Sequence, residues 1–357
     1  MGTIYINGKF LGAGLNGVHR TAAHFSSLLI EHGRARGHDV VLLSPRPAEI
    51  DPAFPLLDPV VLPGPFGVGQ GWEMLTLPRL ARGGLLVNFC NLGPILHRNS
   101  VVMIHDAQTF LYPQDYTGRQ AKAYRALLPI IGRAARRILT VSDFSRGSLT
   151  DHGVGHRDKI GVIHNGTDHI LDTPSEPEIL ETLGVLGKPF IMVLGSTKGY
   201  KNIRRVFDAV TKGGFDMPLV VAGGPGEDTY VQNGFDIPPD TLFTGFVSDG
   251  ALRAIYEAAT VFAFPSQTEG FGLPPIEAMQ CGTPVIAARA GAMPEVCGNA
   301  AILADPDDTA PWIDGLQSLT SDRQARQHWT VKAEARANIL TWEAAGRHLW
   351  SEIEALL

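Results

Sequence analysis

Phe264-Pro265-Ser266-Gln267-Thr268-Glu269-Gly270-Phe271-Gly272-Leu273-Pro274-Pro275-Ile276-Glu277-Ala278-Met279-Gln280-Cys281-Gly282-Thr283-Pro284-Val285-Ile286 reads as strand, loop, helix and strand in immediate succession. The apolar run 261–264 is a buried-type strand. A polar, glycine-bearing loop carrying Glu269 follows it. Pro274 and Pro275 suit the first turn of a helix, where a missing N–H would have no intrahelical partner anyway. That helix runs about two turns to Cys281-Gly282, and 284–287 is the next strand. Two strands joined by a helix pair in parallel, so this one segment fixes an α/β fold. The helix start offers backbone N–H groups and partial positive charge to an anion. Glu269 in the loop and Glu277 early in the helix add two carboxylates that can accept hydrogen bonds from sugar hydroxyls.

The same alternation extends outward on both sides. Behind the segment, strands are expected at 190–194, 218–222 and 241–244, helices at 202–211 and 249–259, and a last strand at 301–304. The first half carries strands at 3–7, 39–44, 85–89, 100–104, 138–141 and 159–163. It also carries an amphipathic helix at 18–32 and a long helical stretch from Gly118, interrupted at Pro129. Residues 171–188, rich in Pro, Ser, Glu and Gly, break the pattern. The expected organisation is a first domain over 1–172, a linker over 173–187 and a second domain over 188–340. A terminal helix over 341–357, apolar at 342, 345, 349, 353 and 356, is expected to pack back toward the first domain. Two doubly wound domains in tandem would face each other across a ligand-binding cleft.

Composition narrows the classes. A chain of 357 residues, 44% hydrophobic and 18% charged, has ample core for two domains and is not a disordered chain. A net charge of −6 argues against a dedicated nucleic-acid binder. Residues 1–180 carry 17 Lys and Arg against 15 Asp and Glu, whereas 181–357 carry 13 against 21. The asymmetry reads either as chance variation between two domains or as a first half that faces something anionic. Cys90, Cys281 and Cys297 are too few and too scattered for a disulfide framework or a zinc cage, which points to a reducing compartment. No apolar run reaches membrane-spanning length, and the start enters a strand with no basic leader, so a cytoplasmic location without a signal peptide is expected.

Two motifs point elsewhere and fail on context. Gly12-Ala13-Gly14-Leu15-Asn16-Gly17 matches G-x-G-x-x-G, but the strand over 39–44 ends in Ser44-Pro45, without the acidic residue that would hold a dinucleotide ribose. Its glycines still allow backbone N–H groups to approach a phosphate. Asp305-Pro306-Asp307 matches a D-x-D metal pattern, yet it stands just before Thr309-Ala310-Pro311-Trp312 and reads as helix capping, so no metal site is assigned.

Glu269 and Glu277, with seven residues between them, resemble the signature of retaining family-4 glycosyltransferases of the GT-B fold. Cys281-Gly282-Thr283-Pro284-Val285-Ile286 and Gly291-Ala292-Met293-Pro294-Glu295-Val296 also match that family. His105-Asp106, Val141-Ser142-Asp143-Phe144-Ser145, Asn165-Gly166-Thr167-Asp168, Lys201-Asn202, Gly223-Gly224 and Thr244-Gly245-Phe246-Val247 fall in the family's order. The beginning of the chain is similar to bacterial members that build surface polysaccharides. The resemblance implies two Rossmann-like α/β domains facing a central cleft, and transfer of a hexose from a nucleoside diphosphate-sugar such as GDP-mannose or a UDP-sugar. It further implies that Glu277 accepts the ribose hydroxyls and Glu269 the hydroxyls of the transferred sugar, with the backbone of Gly270, Phe271, Gly272 and Leu273 against sugar and diphosphate. Lys201 would pair with the diphosphate, Phe246 and Val247 would line the base pocket beside Gly223, and Gly14 would close over the diphosphate. His105 would sit beside the sugar or order its loop. The family's usual Arg before the lysine is replaced by Ser196 or Thr197, which leaves Lys198 as the expected second cation.

The acceptor is implied only as a glycan or lipid-linked glycan. Arg119, Lys122 and Arg125, followed by Arg133, Arg136 and Arg137, form a basic face suited either to solvent or to anionic lipid headgroups at the inner face of a membrane. No cofactor beyond the donor is expected. A sugar-nucleotide epimerase of the same fold and a binding subunit without turnover are the competing readings. A phosphorylase would need a pyridoxal lysine site that the sequence does not show.

Overall fold

Short strands that are apolar at every position need a sheet covered on both faces, and such sheets are parallel. The computed structural model describes residues 2–12 and 17–357 and forms two of them. Gly14 lies outside the described residues. The chain divides into one unit of Met1–Asn165 with Trp342–Leu357 and a second of Gly166–Thr341.

The first unit runs β1 (Ile4–Asn7), α1 (Gly17–Ala35), β2 (Val40–Ser44), β3 (Val60–Val61), α2 (Leu77–Leu80), β4 (Leu85–Asn88) and β5 (Ser100–Met103). It continues with α3 (Gln108–Leu111), α4 (Gly118–Ala134), β6 (Arg137–Thr140), α5 (Asp143–Asp151) and β7 (Ile160–Val162). Its sheet order is β3-β2-β1-β4-β5-β6-β7, parallel throughout, with Ile4 opposite both Val40 and Leu85. Leu128 and Ile131 of α4 pack with Ile138, Leu149 and Ile160 in its core.

The second unit runs α6 (His169–Asp172), α7 (Glu178–Thr182), β8 (Ile191–Leu194), α8 (Ile203–Gly213), β9 (Leu219–Ala222), α9 (Glu227–Gln232) and β10 (Thr241–Gly245). It continues with α10 (Asp249–Ala258), β11 (Val261–Phe264), α11 (Leu273–Gln280), β12 (Val285–Ala288), α12 (Met293–Cys297), β13 (Ile302–Ala304), α13 (Ala310–Ser321) and α14 (Arg323–Ala337). Its order, β10-β9-β8-β11-β12-β13, is the doubly wound order with its reversal between β8 and β11. Val206 and Phe207 of α8 and Trp312 and Leu316 of α13 cover one face of that sheet. The chain then returns to the first unit as α15 (Trp342–Glu354), where Trp342 stacks on His24 at 4.0 Å and Arg137 grips Glu352 at 2.7 and 2.9 Å. No helix among the described residues is long and apolar enough to cross a membrane.

Three expectations need correction. The boundary falls at Asn165/Gly166, and 173–187 is not a free linker. Glu176 accepts from Ser248 at 2.6 Å, its N–H donates to Gly250, and Arg253 holds the carbonyls of Leu171 and Thr173 at 2.6 and 2.8 Å. Leu180 and Val185 are buried there, so apolar residues inside a polar stretch dock it on its own unit. Helix α4 is not interrupted: Pro129 lies inside it. An interior proline costs about 3 kcal/mol, and the buried Leu128 and Ile131 offset it. Finally, neither Asp305 nor Asp307 caps α13. Asp305 accepts from the N–H of Asp307 at 2.8 Å, Asp307 faces Gln267, and it is Asp308 that accepts from Ala310.

Candidate active site

In a doubly wound sheet the crevice opens at the carboxyl ends of the strands where the order reverses. In the second unit these are the segments after β8 and β11. Glycine lets the turns after β8 and β9 meet there: a Cβ on Gly195 would lie 2.2 Å from the carbonyl oxygen of Gly223. Gly223 and Gly224 both hold positive φ, at 71° and 73°. The segment after β8 then forms a turn over Gly199–Lys201, closed by Asn202 at φ 52°. Asn202 ties this turn to the carbonyl of Pro306 at 3.0 Å. The N–H of Gln267 donates to Tyr200 at 2.8 Å, which joins the two segments. Lys201 Nζ and Glu269 Oε1 meet at 2.7 Å across that junction. The same ammonium lies 5.4 Å from the Tyr200 ring and 5.7 Å from that of Phe264.

The loop holding Glu269 is backed by Gly291-Ala292-Met293. A Cβ on Gly291 would lie 2.8 Å from the backbone nitrogen of Glu269, and Ala292 N–H donates to the Glu269 carbonyl at 3.3 Å. Gly272, at φ 88°, turns the chain into α11, and a Cβ there would strike Met293. This is a physical reason for the second motif: it is the floor of the first. Pro274 and Pro275 have no N–H, so the donors that α11 can present are those of Gly272 and Leu273, fewer than an ordinary helix start offers. Phe271 and Gly270 are buried. Glu277 is buried on α11, and its Oε1 lies 3.4 Å from His169 Nε2.

Ser196 is half-buried at the end of β8, and its hydroxyl accepts from the N–H of Lys198 at 3.3 Å. Lys198 is exposed, its ammonium 5.8 Å from the Tyr200 ring that Lys201 also flanks. Phe246, just after β10, is 90% exposed, and Val247 is half-buried. The structure thus gathers Lys201, Glu269, Gly272 and Leu273 at the switch point, with Lys198 beside them.

His105 belongs to the other unit and is buried. Its Nε2 is 2.7 Å from the Phe89 carbonyl, its N–H donates to Asn91 at 2.8 Å and its carbonyl accepts from Ser145 at 3.0 Å. Burial lowers its pKa to about 4, the Phe89 carbonyl opposes that, and the charge of His19 adds to it. These contacts tie together the segments that carry Phe89, Asn91 and Ser145.

Sequence reading missed His169 and a polar cluster in the first unit. Buried Glu73 pairs with Lys9 and accepts from Asn7 at 2.7 Å, while Asn7 donates to Asn88 at 3.0 Å. Asn7 and Asn88 end β1 and β4, the two strands at that sheet's own reversal. The available signal was a polar residue closing each of two otherwise apolar strands.

Comparison with known proteins places this geometry. Residues 15–170 match the family described as Glycosyltransferase Family 4, and residues 176–336 the one described as Glycosyl transferases group 1. The chain belongs to these glycosyltransferases. It is 31% identical over 256 residues to O-antigen chain mannosyltransferase B of Escherichia coli, covering 68% of this chain and 67% of that one. It is 27% identical over 234 residues to O-antigen chain mannosyltransferase RfbU of Salmonella typhimurium, covering 63% and 62%. Among solved structures, the Anabaena protein HepE in complex with UDP-glucose matches with a TM-score of 0.73 at 18% identity, covering 99% of both chains. WaaG, a glycosyltransferase involved in lipopolysaccharide biosynthesis, matches at 0.68 and 16%, covering 96% and 98%. Each unit is a Rossmann-like domain, and the fold of this glycosyltransferase is GT-B.

Proposed function

We propose that this glycosyltransferase moves a hexose, with retention at the sugar carbon, from a nucleoside diphosphate-sugar to a glycan or lipid-linked glycan acceptor. The carrying observation is the Lys201–Glu269 pair beside the start of α11. One site then offers a cation for the diphosphate and a carboxylate for sugar hydroxyls. As the donor bond breaks, negative charge grows on the diphosphate, and groups placed around it before reaction stabilise it most. Lys201, the N–H groups of Gly272 and Leu273, and Lys198 are the candidates. Retention follows from the family resemblance, in which the acceptor hydroxyl enters on the face the diphosphate leaves and the diphosphate takes its proton. Glu277 holds the ribose, and Phe246 with Val247 flanks the base. The likeness to two mannosyltransferases favours GDP-mannose. A panel of GDP, UDP, ADP and their sugars in thermal melts tests the donor: a ligand at 100 times its dissociation constant stabilises by about 2.7 kcal/mol. Turnover of the sugar nucleotide without an acceptor product would turn the assignment to an epimerase, and tight binding without turnover to a binding subunit.

Transfer is expected to need no metal and no cofactor, because the chain brings its own cations to the diphosphate and Asp305 and Asp307 are engaged with Asp307 N–H and Gln267. Turnover should be unchanged in excess chelator. Loss in EDTA that Mg²⁺ or Mn²⁺ restores would refute this.

The lipid-linked form of the acceptor is favoured by a cavity of about 460 Å³ in the first unit, lined by Gln70, Met74, Leu92, Ile95, Tyr124 and Leu127. Tyr124 and Leu127 belong to α4, which also bears Arg119, Lys122 and Arg125. An apolar recess on a cationic helix suits an anionic amphiphile at the inner face of a membrane. Sedimentation with anionic vesicles should show weak binding that is lost at high salt and reduced in Arg119→Ala/Lys122→Ala/Arg125→Ala. Binding indifferent to lipid charge and to salt would rule out the electrostatic contact.

A further inference from the structure

His169 opens α6, four residues after Asn165. The segment before it is held firmly: Thr167 N–H donates to Leu340 at 3.0 Å. Gln280, on the same helix as Glu277, donates to the Ala337 carbonyl at 3.1 Å, and its amide lies 3.5 Å from Thr167 Oγ1. The bonds to Leu340 and Ala337 thus bring the segment before His169 and α11 to the same stretch of chain. The imidazole and the Glu277 carboxylate are both largely buried, with side-chain exposures of 7% and 11%. Their 3.4 Å separation is longer than the roughly 2.7–3.2 Å of a formed N–H···O bond, and a small rotation of either side chain closes it. Tyr256 is fully buried, and the charge of Glu277 adds to the burial that raises its pKa.

We propose that His169 is a positioning residue for Glu277. Its Nε2–H takes up Oε1 and leaves Oε2 aimed at the donor ribose. A glutamate has three side-chain torsions to fix before it can accept two hydroxyls, and fixing them in the folded protein removes that cost from binding. The proposal rests on reading Glu277 as the ribose acceptor, and the test separates the two.

The measurement is calorimetric binding of GDP and UDP, each against its 2′,3′-dideoxy counterpart, using whichever base binds. The ratio of the two affinities isolates the ribose hydroxyls. Losing a charge-assisted hydrogen bond is worth about 10- to 100-fold, so wild type should prefer the ribonucleotide by that factor and Glu277→Ala should bring the ratio near one. His169→Leu, which cannot donate, should lower the ratio about 3- to 10-fold through the ribonucleotide alone. His169→Gln, whose amide can donate to Glu277, should keep most of it. His169→Ala repeats the loss if the leucine variant does not fold. An unchanged ratio in Glu277→Ala overturns the ribose reading and the proposal with it. A ratio that collapses in Glu277→Ala but survives in His169→Leu and His169→Ala, or equal weakening of both nucleotides in them, overturns the positioning role alone.

Discussion

Lys201→Ala is expected to lower kcat for sugar transfer by about 10²–10³, or about 2.7–4 kcal/mol, with a much smaller change in nucleotide affinity. The ammonium stands at the carboxyl edge of β8, where the diphosphate would lie, and the Lys201–Glu269 pair is itself only part-buried, at 30% and 13% side-chain exposure. Ion pairs of that exposure contribute little to stability, so the loss should appear in the chemistry and not in the melt. Lys201 and Glu269 neutralise each other at 2.7 Å, and on the proposed reading a donor spanning them would exchange that contact for one from diphosphate to Lys201 and one from sugar to Glu269. Glu269→Ala should therefore spare binding of the free nucleoside diphosphate while harming transfer. Lys198→Ala should cost about tenfold or less, because an exposed ammonium beside the Tyr200 ring keeps its hydration and acts at higher dielectric. Steady-state kinetics on the three variants decide the order. A Lys201→Ala enzyme within threefold of wild type would remove this lysine from the mechanism, and a larger loss for Lys198 would exchange their roles.

All strands but the two-residue β3 were legible, because parallel strands buried on both faces leave short apolar runs between turn residues. The segment 261–264 is such a run, and β11 matches it residue for residue. The site loop was legible because its constraints are local: Gly272 must take φ 88°, and the prolines must sit where no N–H is needed. What escaped reading depends on partners distant in sequence. Glu277 and His169 lie 108 positions apart, and Asn7, Glu73 and Asn88 come together only when β1 and β4 pair. The segment 173–187 looked like a linker because its composition is polar. Only the docked α10 shows that Leu180 and Val185 have somewhere to go. Pro129 misled in the opposite direction: its local cost is real, but packing on either side exceeds it.

Acid should destabilise the first unit through His105. The unfolded chain takes up a proton at this residue near pH 6.5, whereas the folded protein resists it until about pH 4, because burial penalises the charged ring. Stability from this group is thus complete above pH 6.5 and falls as the pH drops toward 4, by about 3 kcal/mol in all. His105→Gln, whose amide can still donate to the Phe89 carbonyl, removes the titration and should flatten the fall in melting temperature between those limits. The same variant separates the two roles open to this residue. A neutral imidazole at pH 7 brings no positive charge to a leaving diphosphate, and its Nε2–H is turned to a backbone carbonyl. If ordering is its task, through Phe89, Asn91 and Ser145, His105→Gln should keep kcat within about tenfold at pH 7, the size of one lost neutral hydrogen bond. A drop of 10² or more at unchanged melting temperature would instead put the imidazole against the sugar, since no ordering role would leave the melt intact while costing that much transition-state stabilisation.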